Sequence, residues 1–185
     1  MIDLTKKSLP NTINVGGRDF AVYTDFRVWM RFSIEFESWK NKGYKGILDI
    51  RYLFMNQLPV FQKIEDYSGV FEFAFPKSVI PNGSSDGDPV LYFEYDGDYI
   101  YSAFMQQYGI DLLNADIHWH KFKALLNGLS GTKLNDIMEY RSYTGKSNKD
   151  LDSQYRHLKD TWMPPYVETE EERQEEEEFN NYFGD

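Results

Sequence analysis

His118 and His120 stand two residues apart, and imidazoles are the side chains best suited to proton transfer or metal ligation near neutral pH. On a helix a two-residue step turns by roughly 200°, which sends two ligands to opposite faces instead of to one metal. The pair therefore reads as structural. His157, between Arg156 and Leu158, has neither a nucleophile motif nor an orienting acid beside it. Asp86-Gly87-Asp88 and Asp96-Gly97-Asp98 share the opening pattern of calcium loops, but neither continues with the further oxygen ligands and terminal Glu such a loop needs. Turn formation and helix capping account for both. Gly16-Gly17 lacks the Lys-Ser/Thr of a phosphate loop and leads into a strand instead of a helix. With 30 acids in the chain some carboxylates always neighbour one another, and no motif selects a pair for acid–base work. The expectation is no catalytic residue, no metal and no cofactor.

What remains is surface and core. The 185 residues fit one domain with enough length for a sizeable core, and 14 Phe, 14 Tyr and 4 Trp are many for that length. Such rings fill cores and dominate protein-binding hot spots. The absence of cysteine removes disulfides, thiolate nucleophiles and Cys-based zinc sites, and suits a reducing compartment. Neither a signal-peptide core nor an apolar run long enough for a bilayer is present, so a cytosolic protein without membrane partners is expected. The net charge of −10 is uneven: Glu168 to Asp185 holds nine acids and one base, leaving residues 1–167 at −2. A near-neutral body without a basic stripe argues against nucleic acid as a partner.

The elements that must carry these residues follow from period and punctuation. Residues 12–15 and 18–23 alternate around Gly16-Gly17, a turn able to adopt positive φ twice, and predict a β-hairpin. Asp25 caps a helix whose Trp29, Phe32, Phe36 and Trp39 recur at helical spacing. Ile47 to Asn56 reads as a second helix, broken at Pro59, and the alternation of residues 70–75 suggests a short strand. Residues 76–89 are turn-rich and read as a surface loop. Beyond it lie a helix from Tyr99 to Tyr108 opened by Asp96 or Asp98, and one from Ile117 to Asn127 with Asp116 as its cap and Gly128 as a left-handed stop. A third starts at Thr132, with Leu134, Ile137, Met138 and Arg141 on one stripe. A fourth, capped at Ser147, aligns Leu151, Tyr155, Leu158 and Trp162 before Pro164-Pro165. The fold class is mainly α: a helical bundle with an N-terminal β-hairpin, residues 1–167, followed by an acidic tail over 168–185 expected to be disordered or ordered by a partner.

Two sets of residues are candidates for protein binding. The stripe Trp29, Phe32, Phe36, Trp39 reads first as core and otherwise as a face for another chain's helix. Phe179, Tyr182 and Phe183 follow the glutamate run, where a purely solvating tail would be poor in aromatics, and read as a docking element.

The segments Tyr99 to Leu112, His118 to Leu129 and Met138-Glu139-Tyr140-Arg141, with the helix start Asp25-Phe26-Arg27-Val28-Trp29, resemble the tail-assembly chaperone family of Firmicutes siphophages. That family is encoded between the major tail protein and the tape-measure protein, and the resemblance covers roughly Leu4 to Trp162. It implies a non-enzymatic, self-associating protein that holds the tape-measure protein soluble in the host cytoplasm until tube subunits displace it, and that is absent from the mature virion. By position, the acidic tail would recruit the major tail protein. The competing readings are a structural tail component (tube, terminator or baseplate-associated) and an acidic inhibitor of a host protein.

Overall fold

A computed structural model describes residues 2–76, 89–145 and 149–165, with side chains at 149 and 150 excepted. The loop assigned to 76–89, the cap Ser147 and the acidic tail with Phe179, Tyr182 and Phe183 fall wholly or almost wholly outside the described residues. Among the described residues the order is β1 (Thr12–Val15), β2 (Arg18–Ala21), α1 (Phe26–Asn41), α2 (Ser68–Ala74), α3 (Gly97–Tyr108), α4 (Trp119–Asn127), α5 (Lys133–Ser142) and α6 (Lys149–Trp162). The fold is mainly helical with an N-terminal two-stranded hairpin.

The hairpin pairs antiparallel with Ile13 opposite Phe20 and Val15 opposite Arg18. Gly16 and Gly17 take φ of 57° and 84°, the double positive φ that a two-residue turn matched to strand twist demands. Ile13 and Val15 point inward, Thr12 and Asn14 outward. Beneath the hairpin lies α2, and the approach is so close that a Cβ on Gly69 would sit 2.4 Å from the backbone oxygen of Asn14. Gly69→Ala should therefore lower unfolding free energy by about 1–3 kcal/mol despite the better helix propensity of alanine. Urea melts of the two proteins measure the difference.

Asp25 caps α1 as its sequence position suggests, its carboxylate accepting from the Arg27 amide at 2.8 Å. The start of α1 is stitched to the start of α4: the Phe26 amide donates to Ile117 O (2.9 Å) and the Trp119 amide to Thr24 O (2.7 Å). Arg27 reaches across to the turn before α4, donating to the carbonyls of Leu112 (2.6 Å), Leu113 (3.1 Å) and Ala115 (3.2 Å). Two ring clusters fill the core. One stacks Phe26, Phe104 and Trp119 around Phe122, with centroids 4.7, 5.2 and 5.8 Å from it. The other sets Trp29 against Phe73 at 4.4 Å and Phe32 at 5.8 Å.

Four sequence expectations need correction. Residues 47–56 form no α-helix; a single 3-10 turn at Arg51–Leu53 leads to Phe54, which pairs with Val22 beside the hairpin. Gly43 and Gly46, both at positive φ, and a run too short to nucleate alone leave this segment to tertiary pairing. Residues 70–74 are helix, not strand, and Phe75 is its C-cap; the alternating rings Phe71 and Phe75 also stand at i, i+4. Asp116 does not cap α4; His118 does. Gly128 ends α4 with right-handed φ of −87°, its amide returning to Ala124 O and Leu125 O, so no left-handed cap forms there. The helix expected from Thr132 does start there, and Thr132 and Asn135 close a capping box.

Candidate functional site

Where the sequence places imidazoles two apart, the structure brings them together. His118 is the extended residue before α4, with ψ of 139°, so helical spacing does not apply and the rings lie 5.1 Å apart. Nδ1 of His118 accepts the His120 amide at 3.0 Å, which fixes the proton on Nε2, and that nitrogen donates to Pro10 O at 2.8 Å. His120 Nε2 donates to Phe73 O at 2.9 Å, and the neighbouring Trp119 indole donates to Ala74 O at 2.9 Å. Side chains from α4 thus satisfy the last carbonyls of α2, which a short helix leaves open. His120 Nδ1 is buried without a hydrogen-bond partner. Among the described residues no three His, Cys, Asp or Glu gather to hold a metal.

Burial pushes the pKa of both imidazoles below the ordinary 6.5, with the Pro10 and Phe73 carbonyls opposing it. In the unfolded chain the rings protonate near 6.5, while the folded protein resists; the unfolded state then binds more protons, so stability falls as the pH is lowered. The stability these groups contribute is whole above about pH 6.5 and declines from there down to their folded pKa values. Denaturant midpoints measured from pH 8 to pH 5 should be flat at first and then fall, and imidazole NMR titration should give midpoints below that of a free histidine.

The proposed binding stripe on α1 divides in two. Trp29 and Phe32 are wholly buried, and the Trp29 indole donates to Tyr23 O at 2.6 Å. Phe36 and Trp39, one and two turns on, are only partly covered. Phe36 stacks outward from Phe32 (6.0 Å) and meets Phe71 at 5.1 Å and Phe75 at 5.8 Å. Trp39 continues the ladder at 6.2 Å from Phe36 and meets Tyr44 edge-on at 5.0 Å. The result is a file of rings that begins in the core and ends in solvent, where Tyr44 is 56% and Ile47 96% exposed. Phe71, Phe75 and Tyr44 escaped the sequence reading. The i, i+4 spacing of the two phenylalanines carried the signal for the first pair.

Tyr44 is the one non-glycine at positive φ among the described residues, at 60°. A left-handed L-residue costs roughly 1–2 kcal/mol, and an edge-on ring pair returns about 0.5–1.5 kcal/mol, so the exposed ring is held out at little or no net gain. Strain of this sort concentrates at functional positions. Lys42 and Lys45 flank it, both exposed, and among the described residues neither takes part in an ion pair of the kind Lys40 makes with Glu37.

Beside the aromatic file, Arg31 lies over the Tyr52 ring at 4.2 Å and donates to Glu35 at 2.7 Å. Tyr52 donates to the other Glu35 oxygen at 2.7 Å. Burial first, and then Glu35, raise the Tyr52 pKa well above its ordinary range. The cluster braces the outer side of α1 and keeps its phenol neutral.

Fold and surface together define a helical protein that presents a strained aromatic and basic face at the end of α1. The chain belongs to the Bacteriophage Gp15 protein family, whose sequence pattern it matches over residues 5–163. Neither a curated protein nor a solved structure matches it.

Proposed function

We propose that this phage protein is a tail-assembly chaperone of a Firmicutes siphophage, which binds the tape-measure protein and keeps it soluble in the host cytoplasm until the tail tube assembles. The observation that carries the reading is the file of rings running from buried Phe32 through Phe36 and Trp39 to exposed Tyr44. A client held briefly along its length needs repeated modest apolar contacts instead of one tight site. A half-buried ladder supplies such contacts without unfolding its own core. Membership of a phage protein family over residues 5–163 supports the setting. The imidazoles support a non-catalytic role, since their hydrogen bonds go to backbone groups that they hold in place.

Co-expression with the tape-measure protein of the same genome, followed by size-exclusion chromatography with mass measurement, tests the proposal. The expected result is a soluble stoichiometric complex from a client that precipitates alone, with the chaperone missing from purified virions. A tape-measure protein equally insoluble with and without this chain would overturn it. Recovery of the chain in virions would instead make it a structural tail component.

A further inference from the structure

Ser38 to Arg51 carries four bases and one acid in a chain whose net charge is −10; Lys40 pairs with Glu37 and Arg51 with Asp49. Two of those bases, Lys42 and Lys45, stand exposed on either side of Tyr44, whose ring meets the partly buried Trp39 edge-on. A ligand for this face must bring negative charge and apolar rings in one segment. The chain itself contains such a segment: Glu168 to Asp185 has nine acids and one base and carries Phe179, Tyr182 and Phe183 beyond its glutamate run.

We propose that this C-terminal segment docks in the same molecule on the basic aromatic face at the end of α1, with glutamates against Lys42 and Lys45 and terminal rings against Trp39 and Tyr44. The reach suffices. Phe179 stands fourteen residues beyond Pro165, which spans up to about 46 Å of extended chain, whereas a compact body of this length has a radius of gyration of about 15 Å. Tethering favours the molecule's own face over a neighbour's, because a short linker gives an effective concentration in the millimolar range. Paired charges at an exposed surface contribute little each and are screened by salt, so the rings supply most of the hold and the glutamates its direction. The docking stands apart from the chaperone reading.

The chain has no cysteine, so Gly184→Cys in the full-length protein gives a single attachment point for a nitroxide spin label. The expected result is strong broadening of the Trp39 indole N–H and of the amides from Lys42 to Ile47, reversed when the label is reduced. The broadening should be lost in K42E/K45E, whose two positions are exposed, and in F179A/Y182A/F183A, and should weaken at high salt. A mixture of isotope-labelled protein without nitroxide and unlabelled protein with it separates the sources. Broadening in that mixture assigns the face to a second copy and overturns the proposal. No broadening in either sample overturns it as well, as does broadening that neither variant relieves. No client is present, so this outcome and that of the co-expression experiment are independent.

Discussion

Replacing Arg141 with alanine is expected to cost about 3–5 kcal/mol of stability, the penalty for stranding a buried charge. Arg141 and Asp96 are both almost fully buried, and two parallel bonds join them, Nη1 to Oδ2 at 2.6 Å and Nη2 to Oδ1 at 2.9 Å. The guanidinium also donates to Val90 O (3.0 Å) and Trp162 O (2.8 Å). Asp96 accepts the Tyr92 amide at 2.8 Å. One side chain on α5 therefore fastens the entry to α3, the segment before it and the end of α6. The Tyr92 ring, 5.1 Å from the guanidinium carbon, adds a cation–π face.

Arg141→Ala removes four donated bonds and leaves the Asp96 carboxylate facing apolar surroundings. Urea denaturation of the variant should show the full loss, and limited proteolysis should cut earliest after Ser142, where α6 has lost an anchor. Asp96→Asn should also be costly, since it strands the buried guanidinium charge and sets an amide NH2 against one of the Arg141 N–H groups, although the amide oxygen still accepts from Tyr92 and the guanidinium keeps its two carbonyls. The double replacement Asp96→Leu with Arg141→Met should be milder than Arg141→Ala alone, because filling both positions with apolar atoms abolishes the desolvation cost along with the attraction. A loss under about 1 kcal/mol in Arg141→Ala would mean the site opens to water instead of staying dry.

Arg141 also shows what the sequence exposes and what it hides. It falls on the stripe Leu134, Ile137, Met138, Arg141, and a base in register with buried apolar residues signals a paired interior charge. Its partner Asp96, however, lies 45 positions away and reads locally as a helix opener. Elements with strong local signals were legible: the Gly16-Gly17 hairpin, the Asp25 cap, the helix start at Thr132 and the long stripes of α1, α3, α4 and α5. Elements decided by distant contacts were not. Residues 47–56 have a helical pattern, but Tyr23 and Met55 draw them into pairing with the strand end, the Tyr23 amide donating to Leu53 O at 2.9 Å and the Met55 amide to Ala21 O at 3.0 Å. His118 looked like a member of a helix and is instead its cap, which reversed the geometry of the two imidazoles. The candidate binding face was half legible, since two of its rings lie on the α1 stripe and the others come from α2 and from a strained loop.

The α1 stripe yields the second large effect, because its two tryptophans have the same type and phase and opposite surroundings. Trp29→Ala is expected to cost about 3–5 kcal/mol, as large aromatic truncations in a closed core do. The ring is fully buried against Phe73 and Phe32, and its removal leaves a cavity, while the Tyr23 carbonyl loses its 2.6 Å donor. Trp39→Ala removes a partly exposed ring whose indole bond, to Gly46 O, is long at 3.2 Å. Its cost should stay near about 1–2 kcal/mol, the value of partial apolar burial plus an edge-on ring pair. Urea midpoints for the two variants should therefore separate widely. Function should order them the other way. Under the chaperone proposal Trp39→Ala remains folded yet loses client solubilisation in co-expression, while any loss in Trp29→Ala tracks its unfolded fraction and recovers at lower temperature. A folded Trp39→Ala protein that still yields a full-size soluble complex would remove this face from client binding and leave the ladder a purely structural extension of the core.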